Sequence, residues 1–477
     1  MSQCLPCCVE STAEFRPKAQ YALQMLLFPL GIDPKWVVRN ELTGVGIYYG
    51  SAPDGLPHSI ISLRLTRETE EYFQYGSAYP PAAVRWVEWD GASWPVLFMG
   101  GDQPDLVAST FFWLSNWQET TCATRDRHGR FPFEASLQSA LGIATRPAVD
   151  AYRERIAALL AENGIQSRPR SFGQRAWALC PTHDIDYLRK WRPGILFRET
   201  VQYPLLNYRK VTVGQRAKRF ARFLRQFLHP GDPYRNAIKR LFRETRQRRG
   251  TATFFLKASA HGPNDVAYRV NDPFLVRQRS EWENAGFEVG LHTSYHAHTH
   301  PDYIECEAAE LGSPASVRQH FLRYDLPITP RLQERAGLRI DSTLGFAETV
   351  GFRNATCLPF LRFDVPQNRV TSVWEMPLAV MESTLFNRIG LPLEAAVKET
   401  EQLLFTCQQF GGVAVMLWHG VLWDELDHSG WGDHFMRTLD FAVREGALIA
   451  SLNDALSVWL KGAPYEAAVS CGELQKL

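Results

Sequence analysis

The stretch AWALCPTHDID, residues 176–186, predicts a buried strand that ends in a cluster of polar side chains. The same pattern returns in FEVGLHTS (287–294) and GVAVMLWH (412–419), and the apolar runs TATFFLKA (251–258) and ALIASLNDA (447–455) predict further strands. Segments with helical periodicity separate them, and this alternation favours an α/β fold with a mainly parallel sheet. Because such folds carry their chemistry at the carboxyl ends of strands, the polar residues there are functional candidates.

The chain of 477 residues is longer than one hydrophobic core usually organises, so we expect two domains. Residues 44–117 hold short apolar runs broken by Gly, Pro, Asp and Ser, which favour strands and turns, and helical periodicity follows them. The composition changes near Arg170. The sequence therefore predicts a smaller mixed α/β domain in residues 1–170, whose role it does not reveal, and a second α/β domain in residues 171–465.

The overall composition is that of a globular protein with little net charge. The formal net charge is +1, which argues against nucleic acid as a partner of the whole protein. The N-terminus lacks the basic start and apolar run of a secretory signal, and no apolar run is long enough to span a membrane. Nine cysteines, an odd number spread over a long chain, fit reduced thiols. We therefore expect a cytoplasmic location.

The motif HTSYH, residues 292–296, is the first candidate for metal binding. If a helix begins at Ser294, His292 and His296 lie on one face about one turn apart, where they can chelate an ion. Imidazole suits zinc, cobalt, nickel or iron, and a carboxylate commonly completes a three-ligand catalytic site. The alternative is a solvated histidine-rich loop, since His298 and His300 follow directly.

Two carboxylates and a third histidine follow other predicted strands. Asp184 and Asp186 can divide the work, one binding a metal ion and the other taking a proton from water, although an Asp here can also cap a helix. His419 can act as a general acid, or it can be a buried structural histidine. Their equivalent positions at the ends of separate strands favour the functional interpretation.

The order THDID, HTSYH, GFRNATCLPF, LWH resembles the pattern of polysaccharide deacetylases, the NodB-homology group of carbohydrate esterase family 4, over about residues 175–460. The resemblance implies a distorted (β/α) barrel in residues 171–465, preceded by the smaller domain. The segments RDRHGRFPF (125–133) and DSTLGFAETVGFRNATCLPF (341–360) further resemble a bacterial subgroup with an extra N-terminal α/β domain.

The resemblance also implies a role for each candidate residue. Asp184 is expected to be the base, His419 the general acid and Arg353 the residue that orients the base. The expected metal ligands are Asp186, His292 and His296, with zinc the first choice and cobalt, nickel or iron as alternatives. In the common motif the two carboxylates are adjacent, whereas here Ile185 separates them, so Asp184 is the alternative ligand.

The implied reaction is the removal of an N-acetyl group from a sugar in a polysaccharide or glycan precursor, and the implied partner is therefore an N-acetylated glycan. Two alternatives stay open. Relatives on this fold include C–N hydrolases of small or cyclic amides, and a non-catalytic glycan-binding protein can keep the same scaffold. The intact set of acid, base and ligand residues argues against the last of these.

A strongly basic insertion, residues 188–250, follows the acidic motif. It holds eighteen lysines and arginines against three acidic residues, a local charge of about +15. Residues 214–228 predict an amphipathic helix with phenylalanines and leucines on one face. Such a helix can lie on an anionic membrane surface, which would place the protein at the inner face of the membrane, or its apolar face can pack on the barrel. No nucleic-acid-binding motif accompanies the charge.

Overall fold

A computed structural model describes residues 3–76, 84–206, 212–265 and 268–461. The N-terminal part contains a parallel sheet of four strands in the order β2-β1-β3-β4. These strands are β1 (Gln3–Glu10), β2 (Ile32–Trp36), β3 (Gly46–Gly50) and β4 (Ile60–Arg64). Two antiparallel hairpins follow, β5 (Arg85–Trp89) with β6 (Ala92–Val96), and β7 (Met99–Gly100) with β8 (Gln103–Pro104). Strands and turns therefore occupy much of the described part of residues 44–117, as the sequence predicts, but Arg67–Tyr75 forms a helix there, and residues 77–83 lie outside the described ranges.

In the described part of the chain, six α-helices accompany this sheet and the hairpins. They are α1 (Arg16–Leu27), α2 (Arg67–Tyr75), α3 (Leu106–Leu114), α4 (Trp117–Thr121), α5 (Leu137–Leu141) and α6 (Ala148–Glu162). Helix α3 begins where the carboxylate of Asp105 accepts the backbone N–H of Ala108 at 2.9 Å, a standard N-cap that satisfies a free donor. One of the segments with helical periodicity that follow residue 117 forms α6.

The second sheet has ten strands and curls into a half-barrel. With its sheets and helices together, the molecule is a mixed α/β protein. Its order is β14-β15-β13-β12-β11-β10-β9-β17-β16, with β18 paired to β9. All neighbours are parallel except the hairpin of β14 and β15. The strands are β9 (Ala178–Ile185), β10 (Thr253–Leu256), β11 (Glu288–His292), β12 (Ser316–Arg318), β13 (Ile340–Asp341), β14 (Phe360–Asp364), β15 (Arg369–Glu375), β16 (Leu378–Met381), β17 (Val413–Leu417) and β18 (Leu448–Ile449).

Nine α-helices lie between or after these strands among the described residues. They are α7 (Pro193–Phe197), α8 (Val213–Leu228), α9 (Pro233–Gln247), α10 (Pro273–Asn284), α11 (Pro301–Leu311), α12 (Thr329–Arg335), α13 (Leu393–Gln409), α14 (Gly432–Arg444) and α15 (Leu452–Leu460). Two π-helical segments are Arg198–Leu206 and Thr384–Ile389. Short 3-10 turns are Phe28–Leu30, Arg39–Glu41, Phe133–Ala135, Ala297–Thr299, His320–Leu322 and Gly420–Trp423. In the part of the chain that the structure describes, no helix is both long and apolar enough to cross a membrane.

The register of the central strands brings their carboxyl ends together. Strand β9 is flanked by β10 and β17, and its residues Thr182 and Ile185 pair with Leu417 and Leu256. One face of the sheet shares a hydrophobic core with the N-terminal helices, and the other face packs on the connecting helices. The hydrophobic core on the first of these faces contains residues from both sides of Arg170. The domain boundary near Arg170 therefore stays a prediction.

The predicted amphipathic helix of the basic insertion forms as α8. Its N-terminus carries a capping box in which Thr212 and Gln215 satisfy each other's backbone N–H groups. Phe223 is buried beside Trp191, but Phe220 and Phe227 keep 39% and 45% of their surface exposed. The apolar face therefore packs on the protein only in part.

Candidate metal centre

Four of the predicted site residues converge at the carboxyl edge of the large sheet. Asp184 and Asp186 stand at the end of β9, His292 ends β11, and His419 follows β17. All four line one cavity of about 480 Å³. Larger clefts flank α9, but none of these side chains lines them. The cavity at the strand ends is therefore the candidate site.

Three side chains in this cavity have the spacing of a metal centre. The Oδ1 atom of Asp186 lies 3.5 Å from Nε2 of His292 and 3.5 Å from Nε2 of His320. Ligand atoms at about 2.0–2.2 Å around a tetrahedral ion are about 3.3–3.6 Å apart. The structure thus groups Asp186 and His292 with His320, and all three ligand atoms lie within 4.8 Å of one another.

Each of the two imidazoles is held through its other nitrogen. Nδ1 of His292 lies 3.0 Å from the carbonyl oxygen of Arg318, its partner on β12, and Nδ1 of His320 lies 3.1 Å from Oδ1 of Asp265. Histidines that bind metals usually donate their second N–H to a carbonyl or carboxylate in this way. Oδ1 of Asp186 is buried and accepts no hydrogen bond within the described ranges. The donor set therefore fits a divalent ion.

A buried lysine stands beside the same atoms. The Lys257 ammonium lies 2.9 Å from Nε2 of His320 and 3.5 Å from Oδ1 of Asp186, and Lys257 is only 1% exposed. Burial alone would raise the pKa of Asp186, but the imidazoles of His292 and His320, together with this ammonium, hold it well below its usual value. Binding of an ion through His320 Nε2 requires the ammonium to shift.

The structure does not bring His296 into this group. Strand β11 ends at His292, and no helix begins at Ser294, because the next α-helix starts only at Pro301. The backbone N–H groups of Ser294 and Tyr295 donate instead to the carboxylates of Glu307 and Asp265, both at 2.9 Å. The one-turn spacing expected for His292 and His296 is therefore absent, and the His296 ring lies against Gly262 and His300.

His419 forms a dyad with a buried carboxylate. Its Nδ1 lies 2.6 Å from Oε1 of Glu382, and its backbone N–H donates to the same oxygen at 2.8 Å. Burial is the largest single influence and lowers the pKa of His419, but the charge and hydrogen bond of Glu382, with smaller effects of Asp184 and Asp186, raise it to about 9. Nε2 faces the cavity, 3.9 Å from Oδ2 of Asp186.

Arg353 lies away from the predicted base. Its guanidinium forms a bidentate ion pair with Glu119 of α4, at 3.0 and 2.7 Å, and both side chains are about 3% exposed. The arginine beside Asp184 is Arg318, whose Nη1 lies 3.9 Å from Oδ1 of Asp184. The orienting role expected of Arg353 therefore has no geometric basis here, because its loop packs on the N-terminal part of the chain.

Comparisons with known proteins were made for the sequence and for the structure. Residues 9–164 match the model of a family of unknown function, DUF7033, which covers about a third of the chain. None of the curated proteins matches the sequence.

Solved structures give loose matches. A putative polysaccharide deacetylase from Mycobacterium smegmatis is 15% identical, with a TM-score of 0.38 over 60% of this chain and 90% of that one. Puue allantoinase is 12% identical, with a TM-score of 0.39 over 62% and 96%. The chitin deacetylase of Colletotrichum lindemuthianum is 12% identical, with a TM-score of 0.29 over 60% and 89%. All three TM-scores lie below 0.5.

Three site residues are missing from the sequence-based set, namely Arg318, His320 and Glu382. They lie in ASVRQHF (315–321) and PLAVMES (377–383), where an apolar run gives way to polar residues. This is the signal that identified the other candidates. It is weaker here, because β12 has three residues and β16 has four.

Proposed function

We propose that this protein is a metal-dependent hydrolase that removes the N-acetyl group from a sugar of a polysaccharide or glycan precursor. The observation that carries the proposal is the combination within one cavity of a three-ligand centre, a second carboxylate and a histidine held in its protonated form. Amide hydrolysis needs these three elements, namely an electrophilic centre, a base and an acid for the departing nitrogen.

Asp186, His292 and His320 would hold the ion. Two nitrogen donors and one oxygen donor favour zinc, with cobalt, nickel or iron as alternatives. When bound, such an ion supplies a Lewis acid that polarises the amide carbonyl.

Asp184 is the proposed base. Its carboxylate is 4% exposed and lines the cavity, and its Oδ2 lies 3.7 Å from Nε2 of His292, on the side of the proposed ligands. A carboxylate oxygen in this position can take a proton from the attacking water. The Arg318 guanidinium, 3.9 Å away and completely buried, holds this carboxylate in place by its charge.

His419 is the proposed acid. Because Glu382 binds Nδ1, the Nε2 proton faces the cavity and can pass to the amide nitrogen as the C–N bond breaks. The products are acetate and a free amine. The same steps would hydrolyse a small or cyclic amide, and this is the alternative substrate class.

Acetate release from N-acetylated oligosaccharides, measured with the zinc-loaded protein, tests the proposal. We expect Asp184→Asn to lower kcat by roughly 10²–10⁴-fold with unchanged metal content. Asp433→Asn changes an exposed carboxylate on α14 and is the matched control. Full activity of Asp184→Asn, or no turnover of any N-acetyl sugar or amide by the parent protein, would refute the assignment.

We further infer that α8 binds the surface of an anionic lipid bilayer. Phe220, Leu224 and Phe227 form an exposed apolar stripe on one side of the helix. Lys218, Arg222 and Arg225 are exposed on the other side of the helix from this stripe, and no ion pair of theirs occurs among the described residues. Such a helix lies in a membrane interface, with its basic side chains at the lipid head groups.

A different side of α8, about 100° around the helix from Phe220, is anchored to the protein. Arg219 pairs with Glu199 at 2.7 Å and with Asp427 at 2.6 Å, which fixes the orientation of the apolar stripe. Sedimentation with phosphatidylglycerol vesicles is the test, with phosphatidylcholine vesicles as the control for charge. We expect Phe220→Ser with Phe227→Ser to abolish binding. Absence of binding by the parent protein, or dimers that use this stripe instead, would overturn the inference.

A further inference from the structure

A loop from the N-terminal part of the chain forms one wall of the candidate site. This loop, residues 125–130, is braced by Asp126, whose carboxylate accepts the backbone N–H groups of His128 and Arg130 at 2.8 and 2.9 Å. The Arg130 guanidinium adds two bonds to the same carboxylate, at 2.6 and 2.8 Å. The loop therefore has a defined shape of its own.

The loop is attached to the segments that carry the proposed ligands. Nδ1 of His128 lies 3.0 Å from the hydroxyl of Tyr295, three residues after His292. The guanidinium of Arg323, three residues after His320, donates to the carbonyl of His128 at 2.7 Å. Arg130 donates to the carbonyl of Phe321 at 3.1 Å. The N-terminal part of the chain is thus a structural component of the cavity.

Two arginines in the cavity wall have no carboxylate partner. Arg127 belongs to the loop and Arg388 to the π-helical segment Thr384–Ile389, and both line the cavity. Both side chains are exposed, and no ion pair of either occurs in the described ranges. Arg130, by contrast, is neutralised by Asp126. Nε of Arg127 donates to Nε2 of the neighbouring His128 at 3.1 Å, a neutral partner, so neither guanidinium has its charge paired within the described ranges.

Guanidinium groups bind carboxylate and phosphate through two parallel hydrogen bonds. The carboxylates of Asp184 and Asp186, deeper in the cavity, would be balanced by the divalent ion, so the charges of Arg127 and Arg388 are left for the ligand. We propose that the substrate carries an anionic group, a carboxylate or a phosphate, which Arg127 and Arg388 bind while the amide lies at the metal centre. This inference rests on the proposed hydrolase function and narrows its substrate class.

Binding and turnover of three sugars test the inference. The probes are N-acetylmuramic acid for the carboxylate, N-acetylglucosamine 1-phosphate for the phosphate, and N-acetylglucosamine as the neutral reference. With the zinc-loaded full chain we expect one or both anionic sugars to bind about 10–100-fold more tightly than the neutral sugar, by calorimetry. Tighter binding of N-acetylmuramic acid would identify the anionic group as a carboxylate, and tighter binding of N-acetylglucosamine 1-phosphate would identify it as a phosphate.

In the double variant Arg127→Gln with Arg388→Gln, the dissociation constants of the neutral and anionic sugars should become nearly equal. Arg277 is an exposed arginine on α10, and Arg277→Gln should leave the ratio of these constants unchanged. Equal dissociation constants for charged and neutral sugars in the parent protein, or an unchanged preference in the double variant, overturn the inference. If the anionic sugars bind with this arginine dependence but no amide is hydrolysed, the hydrolase proposal fails and the anion site stands.

Discussion

Replacement of His320 by alanine is the most informative test of the metal centre. The sequence motif points to His296 as the third ligand, whereas the structure groups His320 with Asp186 and His292. The two assignments make opposite predictions for two single variants. We expect His320→Ala to lose most of its metal affinity and His296→Ala to retain it.

The size of the loss follows from the number of ligands. Structural zinc sites with four protein ligands bind with roughly 10–16 kcal/mol, or about 3 kcal/mol per ligand. One ligand of the three in this cavity should contribute a similar amount, so His320→Ala should weaken binding by about 100-fold. Removal of the His320 ring gives the Lys257 ammonium more room. An ammonium has no lone pair, so it cannot replace the lost metal ligand.

Competition with a chromophoric chelator measures the zinc affinity of the parent protein and both variants, and circular dichroism confirms that each variant folds. His296 is partly exposed and forms no bond to the three ligand side chains, so His296→Ala is a matched control. If His296→Ala weakened zinc binding by about 100-fold and His320→Ala did not, the geometric assignment would be refuted.

Three further predictions concern the surroundings of the site. Asp265→Asn removes the carboxylate that holds His320 and should weaken zinc binding by about 10–100-fold in the same competition assay. Arg353→Ala leaves the Glu119 charge buried and unpaired, so urea denaturation should show a loss of about 3–5 kcal/mol, and the double change with Glu119→Leu should recover part of it. Burial raises the pKa of the Asp105 carboxyl from 3.8 to about 7, so the folded state holds this proton more tightly than the unfolded state. The free energy of unfolding therefore falls as the pH rises through 7. Asp105→Asn should remove up to about 4 kcal/mol of this fall between pH 4 and 8, and an unchanged pH dependence would contradict the prediction.

The four sequence-predicted residues that line the cavity share one property, which is their position at the end of a long apolar run. Strand β9 has eight residues, and β11 and β17 have five each, so their apolar patterns stand out from the flanking polar residues. Parallel pairing in register then brings their ends together, as the α/β pattern predicts. Strand prediction was therefore sufficient to place Asp184, Asp186, His292 and His419 in one cavity.

The remaining parts of the site depend on features that a local pattern does not contain. His320 lies two residues beyond the short strand β12, in a turn where Phe321 adopts a left-handed conformation with φ of 60°. Arg353 pairs with Glu119, which is 234 residues away in the sequence, so its partner could not be read from its own surroundings. The contact of loop 125–130 with the cavity is a long-range contact of the same kind.

The three histidines of the cavity show how similar local structures can serve different roles. In each, Nδ1 is bound by an acceptor and Nε2 points towards the site, although Nε2 of His320 lies 2.9 Å from the Lys257 ammonium. The acceptor of His292 is a neutral carbonyl, and burial lowers its pKa, which favours the neutral imidazole that a metal ion requires. The acceptor of His419 is a buried carboxylate, which keeps the imidazole protonated. The two oxygens of Asp186 face the two kinds of histidine, Oδ1 towards His292 and Oδ2 towards His419. In the proposed mechanism this carboxylate would separate the side of the cavity that holds the ion from the side that donates the proton.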